Sequence, residues 1–131
     1  MDDSEMAVTA LEFALEAYPD ADITVLHVVG EPSPFLVEAT GIAVANDVEA
    51  VAEERAENVF EEARSVAADH DREIETKVAL GHPARAIVRQ AASYDTVVIG
   101  SHGRDLRARI LMGDIARKVS RRAPVPVTVV R

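Results

Sequence analysis

The 131-residue chain has no cysteine and no tryptophan, and aromatic residues make up only 4% of it. Without cysteine, a disulfide scaffold is excluded. No run of about 18 or more apolar residues occurs, so no membrane-spanning helix is read. The first residues are acidic instead of a basic stretch followed by an apolar one, so no secretory signal is read and the cytoplasm is the default compartment. Lysine is nearly absent as well: Lys77 and Lys118 stand beside 12 arginines. With 23 acidic residues against 14 Lys and Arg the net charge is -9, which argues against a surface that binds a polyanion throughout. Acid in excess with scarce lysine suits a halophilic protein kept hydrated in concentrated salt. A GC-rich genome gives the same composition, and both readings stand.

What is present fits one domain, residues 1–131, because a chain of this length that is 48% hydrophobic can bury one core. The charge is unevenly placed. Residues 1–75 carry 20 acids and three bases, net -17, while residues 76–131 carry three acids and 11 bases, net +8.

Val8, Leu11, Leu15 and Tyr18 recur at helical spacing, with Asp2, Asp3 and Ser4 as N-cap types, Glu5 three residues after Asp2 as in a capping box, and Pro19 as a stop. Residues 23–29 form a β-branched run of buried-strand length, closed by Gly30 and the Pro32-Ser33-Pro34 turn signal. Residues 35–46 show no clean period and read as loop with room for a short turn. From Val44, the positions Val48, Val51, Val59, Ala63 and Val66 mark a helix to about residue 69. Ile74, Thr76, Val78 and Leu80 alternate with charge as a second strand, and Gly81-His82-Pro83 opens a helix to about Ser93. Residues 96–99 read as a third strand, 100–105 as loop, 111–122 as helix and 125–130 as a last strand. Helix and strand alternate throughout, the pattern of an open parallel sheet with helices on both faces. The order begins with a helix, so no strand leads it.

Gly100-Ser101-His102-Gly103, followed after nine residues by Gly113, is where chemistry concentrates. Ligands of open parallel sheets sit beyond the carboxyl ends of the strands. Gly100 closes a strand there, and Gly113 opens a helix whose first amides lack intrahelical partners. Arg104, Arg107 and Arg109 lie in the loop between, which suits a phosphate ligand. The alternative is a set of ordinary turn glycines and solvated arginines. The spacing is neither Gly-x-Gly-x-x-Gly nor Gly-Lys-Ser, so hydride transfer and P-loop hydrolysis are not indicated.

The run Gly100-Ser101-His102-Gly103-Arg104 through Leu111-Met112-Gly113, with Ala116-Arg117-Lys118-Val119 and residues 124–130, resembles the C-terminal signature of the universal stress protein family. Leu26-His27-Val28-Val29, Gly81-x-Pro83 and Asp2-x-Ser4 extend the resemblance over essentially the whole chain. It implies a Rossmann-like α/β fold of the adenine nucleotide alpha hydrolase-like type, with strands in the order 3-2-1-4-5. It also implies an adenine nucleotide (ATP, ADP or AMP) as ligand, with or without Mg2+, and a sensing or regulatory role in a stress response. Carried over by position, Asp2 lies near the adenosine and Val28 contacts adenine. Gly100 and Gly103 line the ribose and phosphate path, with His102 and Arg104 as neighbours. Gly113 with the amides of Asp114, Ile115 and Ala116 holds the phosphates. A homodimer through the last strand, residues 125–130, is implied too, and Pro126 suits an edge strand there.

Two departures qualify the resemblance. The ATP-binding members have Ser or Thr where this chain has Asp114. A carboxylate there is expected to take the helix amides for itself and to repel phosphate unless a divalent cation sits between them, weakening ATP more than ADP or AMP. The alternative function is therefore a nucleotide-free member that works through protein partners. The second departure is the leading strand, which family members run into the Asp-x-Ser segment. Only Met1 precedes Asp2 here, which is expected to reflect an incomplete N-terminus, or else to leave a four-strand sheet with an abnormal junction or a marginally stable protein.

Other chemistry finds little support. His27, His70, His82 and His102 lie far apart with no zinc-type spacing. No nucleophile elbow occurs, so no catalytic residue is assigned, and slow hydrolysis of bound ATP stays open. The glutamates at 53, 54, 57, 61 and 62 read as a solvated face. The bases between 104 and 122 lack interleaved aromatics, which argues against nucleic acid.

Overall fold

A computed structural model describes residues 1–30, 42–103 and 112–131, without the side chains of 42–49, 51 and 52. Among the described residues four helices alternate with four strands: α1 (Glu5–Ala17), β1 (Thr24–Val29), α2 (Ile42–Asp69), β2 (Glu75–Leu80), α3 (Pro83–Ala91), β3 (Val97–Gly100), α4 (Asp114–Arg122) and β4 (Val127–Val130). The alternation read from the sequence is present, and α/β is the fold class.

Ser4 is the N-cap of α1, its hydroxyl accepting from the Ala7 N–H at 3.2 Å. The expected Asp2–Glu5 box does not form, because the Asp2 carboxylate turns to the backbone and hydroxyl of Ser4. At the other end of α1, the Arg72 guanidinium donates to the carbonyls of Leu15, Tyr18 and Ala21, supplying partners that a helix C-terminus lacks. Helix α2 starts at Ile42, so part of the expected loop is helical; residues 31–41 and the turn expected there lie outside the described residues. Helix α3 stops at Ala91, and α4 begins only at Asp114, with Gly113 as its N-cap.

β1 pairs parallel with β2 from Thr24–Glu75 to Val29–Leu80, and β3 pairs parallel with β4 from Val97–Val127 to Gly100–Val130. β1 and β3 do not pair, so the described strands form two sheets in the order β2-β1 and β3-β4. The two pairs correspond to the outer pairs of the order 3-2-1-4-5 implied by the resemblance, but the described strands form two separate sheets and not one sheet of four. α1 and α2 pack on each other, α1 over β3 and β4 and α2 over β1; α3 packs on β1 and β2 and α4 on β4. Leu11, Leu15, Val25, Ala56, Phe60, Ala63 and Ala67 form the main core cluster.

Two strands are less buried than their patterns imply. Only Val25 of β1 is fully buried, and Val78 and Leu80 of β2 are 44% and 65% exposed. β2 lies at a sheet edge and β1 flanks the junction, so each lacks a neighbour that periodicity takes for granted. The last strand begins at Val127 instead of residue 125, and Pro126 contributes only its carbonyl, which accepts from Val97 and Thr96. β4 has β3 on one side and no described strand on the other, the edge position that Pro126 suggested.

Candidate functional site

The end of β3 is built for close approach. A Cβ on Gly100 would stand 2.6 Å from Met6 Cγ and 3.1 Å from the Met6 carbonyl oxygen, so α1 descends onto the strand end at a spacing that favours glycine. Ser101 follows and is buried. Its N–H donates to the Val130 carbonyl at 2.7 Å, and its own carbonyl accepts from the Gly113 N–H at 2.6 Å. This clips the two ends of the 100–113 segment together. A Cβ on Gly113 would lie 3.1 Å from that Ser101 oxygen, against backbone that has little room to yield.

Asp2 reaches the same place from the other side of the gap. Its Oδ1 accepts from the Ser4 N–H at 3.1 Å and from the Ser4 hydroxyl, while Oδ2 lies 3.0 Å from where a Gly103 Cβ would be. His102 approaches Ser101 Oγ through Nδ1 at 2.9 Å. Met1, Asp2, Val28, Gly100, His102, Gly103, Gly113, Asp114, Ile115 and Ala116 line one cavity of about 920 Å³. Nine of the ten residues expected at the site are therefore brought together; Arg104, with Arg107 and Arg109, lies outside the described residues. Ser101 was not singled out, yet its backbone joins β3, β4 and α4. The signal was its place between Gly100 and His102. Ser4 and Pro83 also line the cavity.

Helix α4 presents its N-terminus to this cavity. Gly113 offers no side-chain cap, and the first helical bond is from the Arg117 N–H to the Gly113 carbonyl at 3.0 Å. The amides of Asp114, Ile115 and Ala116 thus make no hydrogen bond to the described residues. The Asp114 carboxylate does not take them, contrary to expectation. Its Oδ2 meets the Lys118 ammonium at 2.5 Å and its Oδ1 the Arg117 guanidinium at 2.8 Å. Those hydrogen bonds, Lys118 first, hold its carboxyl below the usual carboxylate range. The side chain pairs with cations three and four residues on, which lie on the same face of the helix. Among the described residues no group of three or more His, Asp or Glu is placed to hold a metal ion.

A family model for universal stress proteins matches residues 1–131. The chain belongs to the universal stress protein family. Its fold superposes on universal stress protein UspA from Lactobacillus plantarum with a TM-score of 0.82 at 21% identity, covering 100% of this chain and 93% of that one. A universal stress protein solved in complex with cAMP gives a TM-score of 0.73 at 22% identity, covering 100% and 92%. One from Archaeoglobus fulgidus, in complex with dAMP, gives 0.57 at 19% identity over the same shares. At these identities the likeness is one of fold. No curated protein sequence matches the chain. Among the described residues no helix is long and apolar enough to cross a membrane.

Proposed function

We propose that this universal stress protein binds an adenine nucleotide in the cavity at the carboxyl ends of β1 and β3 and acts through it as a sensor or regulator. The observation that carries this reading is the set of three amides, Asp114 to Ala116, with no partner among the described residues, at a glycine-capped helix N-terminus that lines the cavity. Such an end attracts phosphate through its N–H groups and its dipole. Val28 and Asp2 line the same cavity, and we assign them to the base and ribose. The two relatives solved with cAMP and with dAMP add weight, because both ligands are adenine nucleotides.

The nucleotide-free alternative drew its support from Asp114, and that support is reduced now that the carboxylate is neutralised by Lys118 and Arg117. A sensor of this kind is expected to work as a homodimer through the free edge of β4, which sedimentation at several concentrations would check. The nucleotide reading is tested by denaturing freshly purified protein and separating what it releases. AMP, ADP or ATP near one per chain supports it. No nucleotide released, together with no binding at millimolar ATP and Mg2+ in high KCl, contradicts it.

A further inference from the structure

The uneven charge of the sequence becomes a division between two helix layers. α1 packs on α2, and α3 packs on α4. The crossovers from β1 to β2 and from β3 to β4 step in opposite directions, so right-handed connections put α2 on one face of the strands and α4 on the other. α1 and α2 together carry 11 acidic residues and two bases, net -9. α3 and α4 carry six bases and one acid, net +5.

The basic layer holds a groove. Arg85 and Arg89, one turn apart on α3, line it with Arg122 at the end of α4, over a floor of Ala84 and Val88, and it measures about 350 Å³. Arg117 and Lys118 are engaged by Asp114. Arg85, Arg89, Arg121 and Arg122 are exposed and make no ion pair or hydrogen bond among the described residues. Acids that could neutralise them are scarce: among the described residues from 76 to 131 there are Asp114 and Asp95, and Asp95 lines the nucleotide cavity instead.

The acidic layer offers the complement. Ala56, Val59, Phe60, Ala63 and Ala67 are the buried side of α2, which turns Glu54 and Glu61 outward with Glu57 and Glu62 beside them. All four are exposed, and Glu54, Glu61 and Glu62 have no partner among the described residues. Glu57 and Glu61 repeat at the four-residue spacing of Arg85 and Arg89, so two helices laid side by side can match them turn by turn. Guanidinium groups take carboxylates in paired hydrogen bonds.

We propose that the groove between α3 and α4 docks the acidic outer side of α2 from a second copy of this chain. The contact is heterologous: each bound copy keeps one free surface of each kind, so assembly proceeds beyond a dimer. It involves neither the edge of β4 nor the nucleotide cavity. A single exposed ion pair contributes little, and the arginines act as a network. In about 0.1 M salt the Debye length is about 10 Å, which screens the mutual repulsion of chains of net charge -9 more than it screens touching side chains. In about 1 M salt it is about 3 Å, and the contact weakens too.

Sedimentation velocity over a concentration series, in 0.1 M and in 1 M KCl, tests the contact. The native chain is expected to form species larger than a dimer in 0.1 M KCl and to lose them in 1 M. R85E/R89E is expected to weaken this association at least tenfold with the circular dichroism spectrum unchanged. E57R/E61R is expected to do the same, and mixing the two variants to restore association. Association that R85E/R89E leaves unchanged overturns the proposal, because the edge of β4 then accounts for it. Failure of the mixture to associate overturns α2 as the occupant. A native chain that stays monomeric or dimeric in 0.1 M KCl overturns the proposal as well, even where duplex DNA binds the groove, since a phosphate backbone is then its occupant.

Discussion

Val25 of β1 packs in a cluster with Leu11, Leu15 and Phe60, whereas the buried residues of α4, the helix set against β4, are Ala116 and Val119. The cluster around β1 is built of large side chains, and the contact of α4 with β4 of smaller ones. The site follows the same division. Asp2 and Val28 come from the side with the large core, and the glycines and helix amides come from the side with close backbone packing. Large side chains hold a strand firmly but keep backbones apart; glycine and alanine let backbone meet backbone, which a phosphate-binding end requires.

Substitutions break this division to different degrees. Phe60→Ala empties the large core and is expected to cost about 3–5 kcal/mol, read by urea denaturation, with β1 and β2 amides losing exchange protection first. Gly100→Ala forces a Cβ into Met6 and is expected to cost about 1–3 kcal/mol, lowering the thermal midpoint. Val119→Ala removes two methyl-sized groups from a fully buried site, about 1–2 kcal/mol, felt mainly by β4. Asp114→Ser releases Lys118 and Arg117 and is expected to raise ATP affinity a few-fold by calorimetry, more than AMP affinity, with the gain fading as salt rises. The smallest effect is at His70. Its Nδ1 bonds to the Val66 carbonyl, and Glu16 lies 3.7 Å from Nε2, so its pKa is raised. Its stabilising contribution is full below about pH 6.5, the unfolded value, and is lost as pH rises through the folded one. Glu16→Gln should narrow the difference between denaturation midpoints at pH 6 and pH 8.

Much of this could be read in the sequence because local pattern and tertiary role agree. Helical spacing from Val8 to Tyr18 and from Val59 to Val66, and the punctuation at Pro83 and Gly113, place elements to within a few residues. Gly100, Gly103 and Gly113 mark the site because each must let a neighbour close in. What could not be read depends on partners distant in sequence. Val78 and Leu80 alternate as a buried face does, yet β2 is an edge strand. Asp114 reads as a threat to phosphate from its position alone, and only the structure shows its carboxylate paired with Lys118 and Arg117. The role of Ser101 lies in its backbone, to which residue type gives no clue.

Titration of ATP, ADP and AMP into the native protein and into Gly113→Val, followed by calorimetry, tests the nucleotide site most directly. A Cβ at residue 113 meets the Ser101 carbonyl and parts the end of β3 from the amides of α4. Binding by the native chain that falls at least tenfold in the variant, with β1 and β2 exchange unchanged, is the expected result. Equal affinity in both proteins, or no binding by the native one, contradicts it.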